Sequence, residues 1–117
     1  MISVLFVDDD QTLCHAARQF LERTGEFTVR TAPSAKAAID APDIRTCDAI
    51  VSDYQMPAMD GIAFLKAVRE RYSDLPFIIF TGKGREEVVI EAIDNGADGY
   101  LQKGGDPEVL LLELAHK

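Results

Sequence analysis

The sequence predicts an α/β domain in three layers, a doubly wound, five-stranded parallel sheet between helices. Two observations carry that reading. Strand-like and helix-like patterns alternate five times along 117 residues. No internal repeat, low-complexity tract or linker interrupts them. Such alternation calls for parallel strands joined by right-handed helical crossovers.

The elements follow in order. Ile2 to Val7 is a nearly continuous apolar run, the pattern of a strand covered on both faces. It stops at Asp8-Asp9-Asp10. A helical period begins at Thr12, with Leu13, Ala16, Ala17, Phe20 and Leu21 on one stripe. Asp10 suits its N-cap and Gly25 its stop. Phe27 to Thr31 alternates and is β-branched, a second strand. Ser34 to Asp40 is a short Ala-rich helix, and Ala41 to Thr46 a loop punctuated by Pro42. Cys47 to Asp53 is the third strand. Ile62 to Tyr72 is the third helix, facing inward with Ile62, Leu65, Ala67 and Val68. Phe77 to Phe80 is the fourth strand and the most apolar, ended by Thr81-Gly82-Lys83-Gly84. Arg85 to Asp94 is the fourth helix, closed by Asn95-Gly96. Gly99 to Gln102 is a fifth strand, followed by Lys103-Gly104-Gly105. Asp106-Pro107 then has the cap and first-turn pattern of a last helix.

The length is that of one domain, residues 1–117, large enough to bury a core without staples. With 47% hydrophobic and 27% charged residues the composition is that of a soluble globule. No apolar run reaches membrane-span length, and no basic stretch precedes an apolar one at the N-terminus. A cytoplasmic protein without membrane contact is therefore expected. Cys14 and Cys47 lack the spacing of a redox pair and read as small buried hydrophobes in a reducing compartment. The net charge of −8 argues against direct nucleic-acid binding and favours a basic partner or a site that gathers cations.

Parallel strands all point one way, so the residues that follow them share one rim. Asp8 and Asp9 follow the first strand, Asp53 ends the third, Thr81 follows the fourth and Lys103 the fifth. Ligands of open α/β sheets bind along that rim. Taken singly, each residue has a plainer role: Asp53 as a turn former, Thr81 as a loop cap, Lys103 as a solvated lysine. Their convergence carries the argument. Carboxylates at ~5 Å and an effective dielectric of ~20 repel by roughly 3 kcal/mol per pair. Either one is protonated or a cation binds, and a few carboxylates plus waters suit Mg²⁺, with Mn²⁺ as its substitute. His15 and His116 stand alone, which leaves zinc unsupported. A carboxylate beside Mg²⁺ and a lysine is also equipped for phosphoryl transfer, with Asp53 as nucleophile.

These residues resemble the receiver domains of two-component response regulators over essentially the whole chain. Val7-Asp8-Asp9 looks like their acidic pair, Asp53-Tyr54-Gln55-Met56-Pro57-Ala58-Met59-Asp60-Gly61 like their phosphoacceptor loop, and Thr81-Gly82 and Lys103 like their remaining two positions. The resemblance implies a CheY-like, flavodoxin-like sheet in the order 2-1-3-4-5. It implies that Asp53 accepts phosphate from a phosphohistidine of a sensor kinase or phosphotransfer protein. Asp9 and Asp53 would hold Mg²⁺ with the backbone carbonyl of Gln55, and Asp8 partly through water. Lys103 would pair with the phosphoryl group and Thr81 would move to bond it. Tyr100 would turn inward, remodelling the surface of the fourth helix, fifth strand and last helix. Gln55 and Lys83 are expected to set the lifetime of the phosphorylated form.

The chain departs from the family at Gly104, where proline is usual; a looser turn is expected there. The runs around Lys83 and Lys103 look like those of receivers attached to archaeal-type sensor kinases. Val109, Leu110, Leu111, Leu112 and Leu114 make the last helix apolar on more than one side. The excess is read as a partner or homodimer surface, the alternative being burial under a neighbouring domain. No output domain lies within 117 residues, so either a stand-alone relay or a piece of a longer, multidomain protein is expected. Two other functions compete. Asp8-Asp9-Asp10-Gln11-Thr12 also fits the DxDxT pattern of haloacid-dehalogenase-type phosphatases, with Asp8 as nucleophile and Asp10 as acid/base. Thr81 and Lys103 would stand in for that family's later motifs and Asp106 for its last acid, which leaves Asp53 without a role. A receiver-like interaction module that never takes phosphate is the other, and the complete residue set speaks against it.

Overall fold

The computed structural model of the chain describes residues 2–41, 44–81 and 86–102. Five parallel strands form one sheet, in the order β2-β1-β3-β4-β5. They are β1 (Ile2–Val7), β2 (Phe27–Ala32), β3 (Ala49–Asp53), β4 (Phe77–Thr81) and β5 (Gly99–Gln102). Between them lie helices α1 (Gln11–Arg23), α2 (Ala35–Asp40), α3 (Gly61–Arg71) and α4 (Glu86–Asp94). The predicted last helix, with Lys103, Gly104, Lys83 and Arg85, falls outside the described residues. No helix among the described residues is long and apolar enough to cross a membrane.

Alternate residues along each strand feed opposite cores. Leu5, Val7, Ile50, Phe77 and Ile79 pack with α2, α3 and α4. Val4, Phe6, Val51 and Ile78 pack with Cys14 and Leu21 of α1. This two-sided burial is why the strands read as unbroken apolar runs. Phe64 of α3, absent from the expected inward set, is fully buried and meets Phe77 edge-on at 5.4 Å. Ala67 is only partly buried. On α1 the buried stripe runs through Cys14 and Leu21, with Leu13, Ala17 and Phe20 at its margins; Ala16 is exposed.

Caps set the helix ends. Asp10 accepts from the Leu13 N–H at 3.2 Å, as its sequence position implied. Ser34 and Asp60 do the same for α2 and α3. Gly25, at φ +79°, leads the chain out of α1 in the left-handed region. Most bounds fall within one residue of expectation, and the larger differences lie just before β3. The loop before β3 contains a 3₁₀ turn, Ile44–Thr46, whose Ile44 is buried. The third strand starts at Ala49 rather than Cys47, because Cys47 belongs to that turn, its N–H reaching the Ile44 carbonyl. Asp48 then brackets β1, accepting from Ser3 N–H and donating its own N–H to Ser3 O, both at 2.7 Å.

Two long-range ties hold the ends of the sheet. Arg69 of α3 donates to Gly96 O, Tyr72 O, Leu75 O and the Asp98 carboxylate, and Asp98 accepts from Phe77 N–H. One guanidinium thus fixes the end of α3, the start of β4 and the turn that ends α4. At the other margin, Glu22 of α1 accepts from Val29 N–H of the edge strand β2 at 3.1 Å and pairs with Arg18 at 3.3 Å.

Candidate functional site

The register places the predicted residues row by row. Val7 pairs with Ser52, Ser52 with Ile79 and Ile79 with Tyr100. The next row holds Asp53 opposite Phe80, and the one after holds Thr81 opposite Gln102. Asp8 and Asp9 follow β1 at the same rim. Three of the predicted side chains meet: Asp8, Asp9 and Asp53 each bring a carboxylate oxygen within 4.8 Å of the others. Asp8 and Asp53 are buried, at 1% and 4% exposure, and Asp9 is exposed. Thr81 is buried on the strand beside Asp53. Gln55 is exposed in the loop after β3, and Tyr100 is 52% exposed. Lys103 and Lys83 lie outside the described residues.

Local bonds hold the acidic groups in place. The Asp10 N–H donates to Asp8 Oδ1 at 2.9 Å, an Asx turn that orients the carboxylate. The Asp8 carbonyl accepts from Gln11 Nε2 at 3.3 Å and from the Cys14 thiol at 3.4 Å. Burial pushes the Cys14 thiol up to about 11, helped by the negative charge of Asp8 and Asp10. Burial likewise raises Cys47 to about 11. Both thiols stay protonated at neutral pH and act as small packing groups, with Cys14 also a weak donor. Ser52 Oγ donates to the Asp53 carbonyl at 3.0 Å, and Tyr54 N–H to Phe80 O at 3.0 Å. Gln11, Cys14 and Ser52 support the site without any sequence motif announcing them.

The loop from Asp53 to α3 closes with Gly61 N–H donating to Tyr54 O at 2.8 Å. Gly61 sits so close to β3 that an added Cβ would lie 2.5 Å from Asp53 O and 2.6 Å from Ile79 Cδ1. Within the loop, Ala58 has φ +68°, and the Met59 N–H reaches Pro57 O at 2.7 Å across it. A left-handed alanine costs about 1–2 kcal/mol. Glycine there would give back about 0.4–1 kcal/mol through the freer unfolded chain. Ala58→Gly is therefore expected to stabilise the protein by about 0.5–1 kcal/mol, read as a rise in denaturant midpoint. A lower midpoint would mean that Ala58 is not strained. Tyr54, Gln55, Met56, Pro57 and Asp60 line an open cavity of about 430 Å³ beside this loop.

The donor set fits a hard divalent cation. It offers carboxylate oxygens from three residues in one cluster, without histidine or cysteine ligands. The same placement counts against Asp10 as an acid/base, since its carboxylate is engaged in capping α1.

Comparison with known proteins converges on one family. The family model described as response regulator receiver domain matches residues 4–115. Response regulator Rre1 of Synechocystis is 35% identical over 111 residues, 93% of this chain and 48% of that protein. Response regulator SaeR of Staphylococcus aureus is 34% identical over 116 residues, 97% of this chain and 49% of that protein. The chain thus spans about half the length of these relatives. Among solved structures, the chemotaxis response regulator CheY4 of Vibrio cholerae superposes with a TM-score of 0.89 at 34% identity, covering 99% of this chain and 98% of that one. A Francisella receiver domain gives 0.88 at 30% identity, covering 99% and 95%.

Proposed function

Since the chain belongs to the response regulator receiver domain family, we propose that Asp53 is its phosphoacceptor. The observation that carries this is the meeting of the Asp8, Asp9 and Asp53 carboxylates at one rim. An Asp53 oxygen attacks phosphorus, the P–N bond of a phosphohistidine breaks, and the departing imidazole takes up a proton. Asp9, Asp53 and the Gln55 carbonyl would hold Mg²⁺, with Asp8 acting partly through water, and the ion would neutralise charge on the phosphoryl oxygens; Mn²⁺ would suit the same donor set. Asp8, oriented by its Asx turn, keeps the acidic cradle aligned. Lys103 pairs with the transferred group, and the Thr81 hydroxyl donates to it. Tyr100, half exposed in this state, turns inward as Thr81 moves. The α4–β5 surface is then remodelled for a downstream output domain or protein.

In this reading residues 1–117 are one receiver domain, a signalling module whose catalysis is confined to its own phosphorylation and dephosphorylation. The donor is a sensor histidine kinase or phosphotransfer protein. The setting is the cytoplasm, where kinases find ATP. Nucleic acid and membrane are not direct partners, in keeping with the net charge of −8.

The test is incubation with acetyl phosphate and Mg²⁺, followed by borohydride reduction of the acyl phosphate and peptide mapping. The mark is expected on Asp53; a mark on Asp8 would transfer the chemistry to the phosphatase type. Gln55 and Lys83 sit two residues beyond Asp53 and Thr81 in the chain, positions from which each can influence an approaching water. Gln55→Ala and Lys83→Ala should each change the autodephosphorylation rate by at least about threefold. Unchanged rates in both would remove them from the mechanism.

A further inference from the structure

The exposed large apolar side chains among the described residues are Ile90 (62%), Ile93 (46%) and Tyr100 (52%). They belong to α4 and β5. Val88 and Ala92 carry the buried side of α4, which puts Ile90 at the middle of its outer face. The neighbours of Ile90 one turn away are Glu86, Glu87, Ile93 and Asp94. Glu91 is exposed as well. The helix Glu86–Asp94 therefore holds four acids and no lysine, arginine or histidine.

Glu86 and Glu87 in the first turn suit the helix dipole, but the rest of the charge pattern does not. Glu87 and Glu91 form a like-charge i,i+4 pair. Asp94 stands in the last turn, where the helix dipole favours a cation. The pattern also decides between occupants of the face. A two-fold dimer through α4 would set each patch against its own copy, carboxylates against carboxylates. Lys83 and Arg85 precede α4 in the chain, but residues 103–117 add Asp106, Glu108 and Glu113 against Lys103 and Lys117 and so bring no excess of cations. An apolar centre with an acidic surround is complemented instead by apolar residues flanked by cations.

We infer that the outer face of α4 docks a basic amphipathic helix of a partner protein, with apolar side chains on Ile90 and Ile93 and lysines or arginines against the α4 acids. The inference rests on the receiver reading for the use of this face as an output surface. It is tested without phosphodonor or metal, so the two can fail separately.

The experiment is an NMR titration of the 117-residue protein in EDTA with an amphipathic Leu/Lys 14-residue peptide and its Leu/Glu counterpart. The Lys peptide is expected to bind at least about tenfold tighter than the Glu peptide. Its largest amide shifts should fall on residues 86–94. Ile90→Ser with Ile93→Ser should weaken it about tenfold. Glu86→Gln, Glu87→Gln, Glu91→Gln and Asp94→Asn together should erase the preference for the Lys peptide. All these positions are exposed, and the wild-type footprint is informative by itself. Equal binding of the two peptides would overturn the inference. So would a footprint centred on Asp8, Asp9 and Asp53, which marks mere attraction to the acidic rim. So would sedimentation showing a dimer that the isoleucine substitutions dissolve, which makes a second copy the occupant.

Discussion

Asp53→Asn should reduce acyl phosphate formation to under about 1% of wild type, a loss of at least about 2.7 kcal/mol in transition-state stabilisation. The amide keeps the shape of the carboxylate but offers no anionic oxygen to attack phosphorus. Asp8 and Asp9 remain, so the rim stays acidic, yet neither ends a central strand with α3 closing over it. The variant should also respond less to metal. A ligand at tenfold its Kd stabilises a fold by about 1.4 kcal/mol. Wild type is therefore expected to melt higher in Mg²⁺ than in EDTA, and the variant to show a smaller rise. Phosphate uptake by Asp53→Asn at the wild-type rate would refute the nucleophile assignment, whatever its metal response.

Gly61→Ala should be strongly destabilising, more so than alanine at Gly25 or Gly96, where an added Cβ meets open space or a flexible arginine side chain. Its Cβ would fall 2.5 Å from Asp53 O and 3.0 Å from Tyr54 Cα, both backbone atoms that cannot rotate away. Overpacking of this kind costs typically about 1–3 kcal/mol. The upper end applies, because relief requires moving α3 off β3. For a domain of this size, about 3 kcal/mol corresponds to a drop in Tm of more than about 10 °C. The same displacement pulls on the Asp53 peptide, so phosphorylation should fall even below the melting range. A melting curve within about 2 °C of wild type would show that the loop yields more easily than the packing implies. Serine at the same position should be no better, since the clash is with Cβ itself.

The sheet was legible because its signals are local. Strands β1, β3 and β4 are short apolar runs, and the acid or hydroxyl at or just after the end of each marks the rim. Parallel geometry then brought Asp8, Asp9 and Asp53 together, although Asp9 and Asp53 lie 44 residues apart in sequence. What stayed hidden depends on contacts between distant segments. Arg69 looked like any exposed helical arginine, and its bond to Asp98 spans 29 residues. Gly61 looked like an ordinary loop glycine, and only the nearness of β3 shows why no side chain fits. The strain at Ala58 breaks the usual rule that such φ values go to glycine, so no composition signal marks it. Ile44–Thr46 is a single turn, too short for periodicity to register.

The carboxylate of Glu22 plugs an outward N–H at the margin strand. An open strand margin is a template on which another chain can add, the first step toward fibres. The Val29 N–H holds this carboxyl below its ordinary value, with Arg18 assisting. Its contribution is therefore present at neutral pH and lost as pH falls through the lowered value of the folded state. Acid solutions should make the protein sticky along this one side, and light scattering should show Glu22→Ala, which has no acceptor for the Val29 N–H, already sticky at neutral pH where wild type is not.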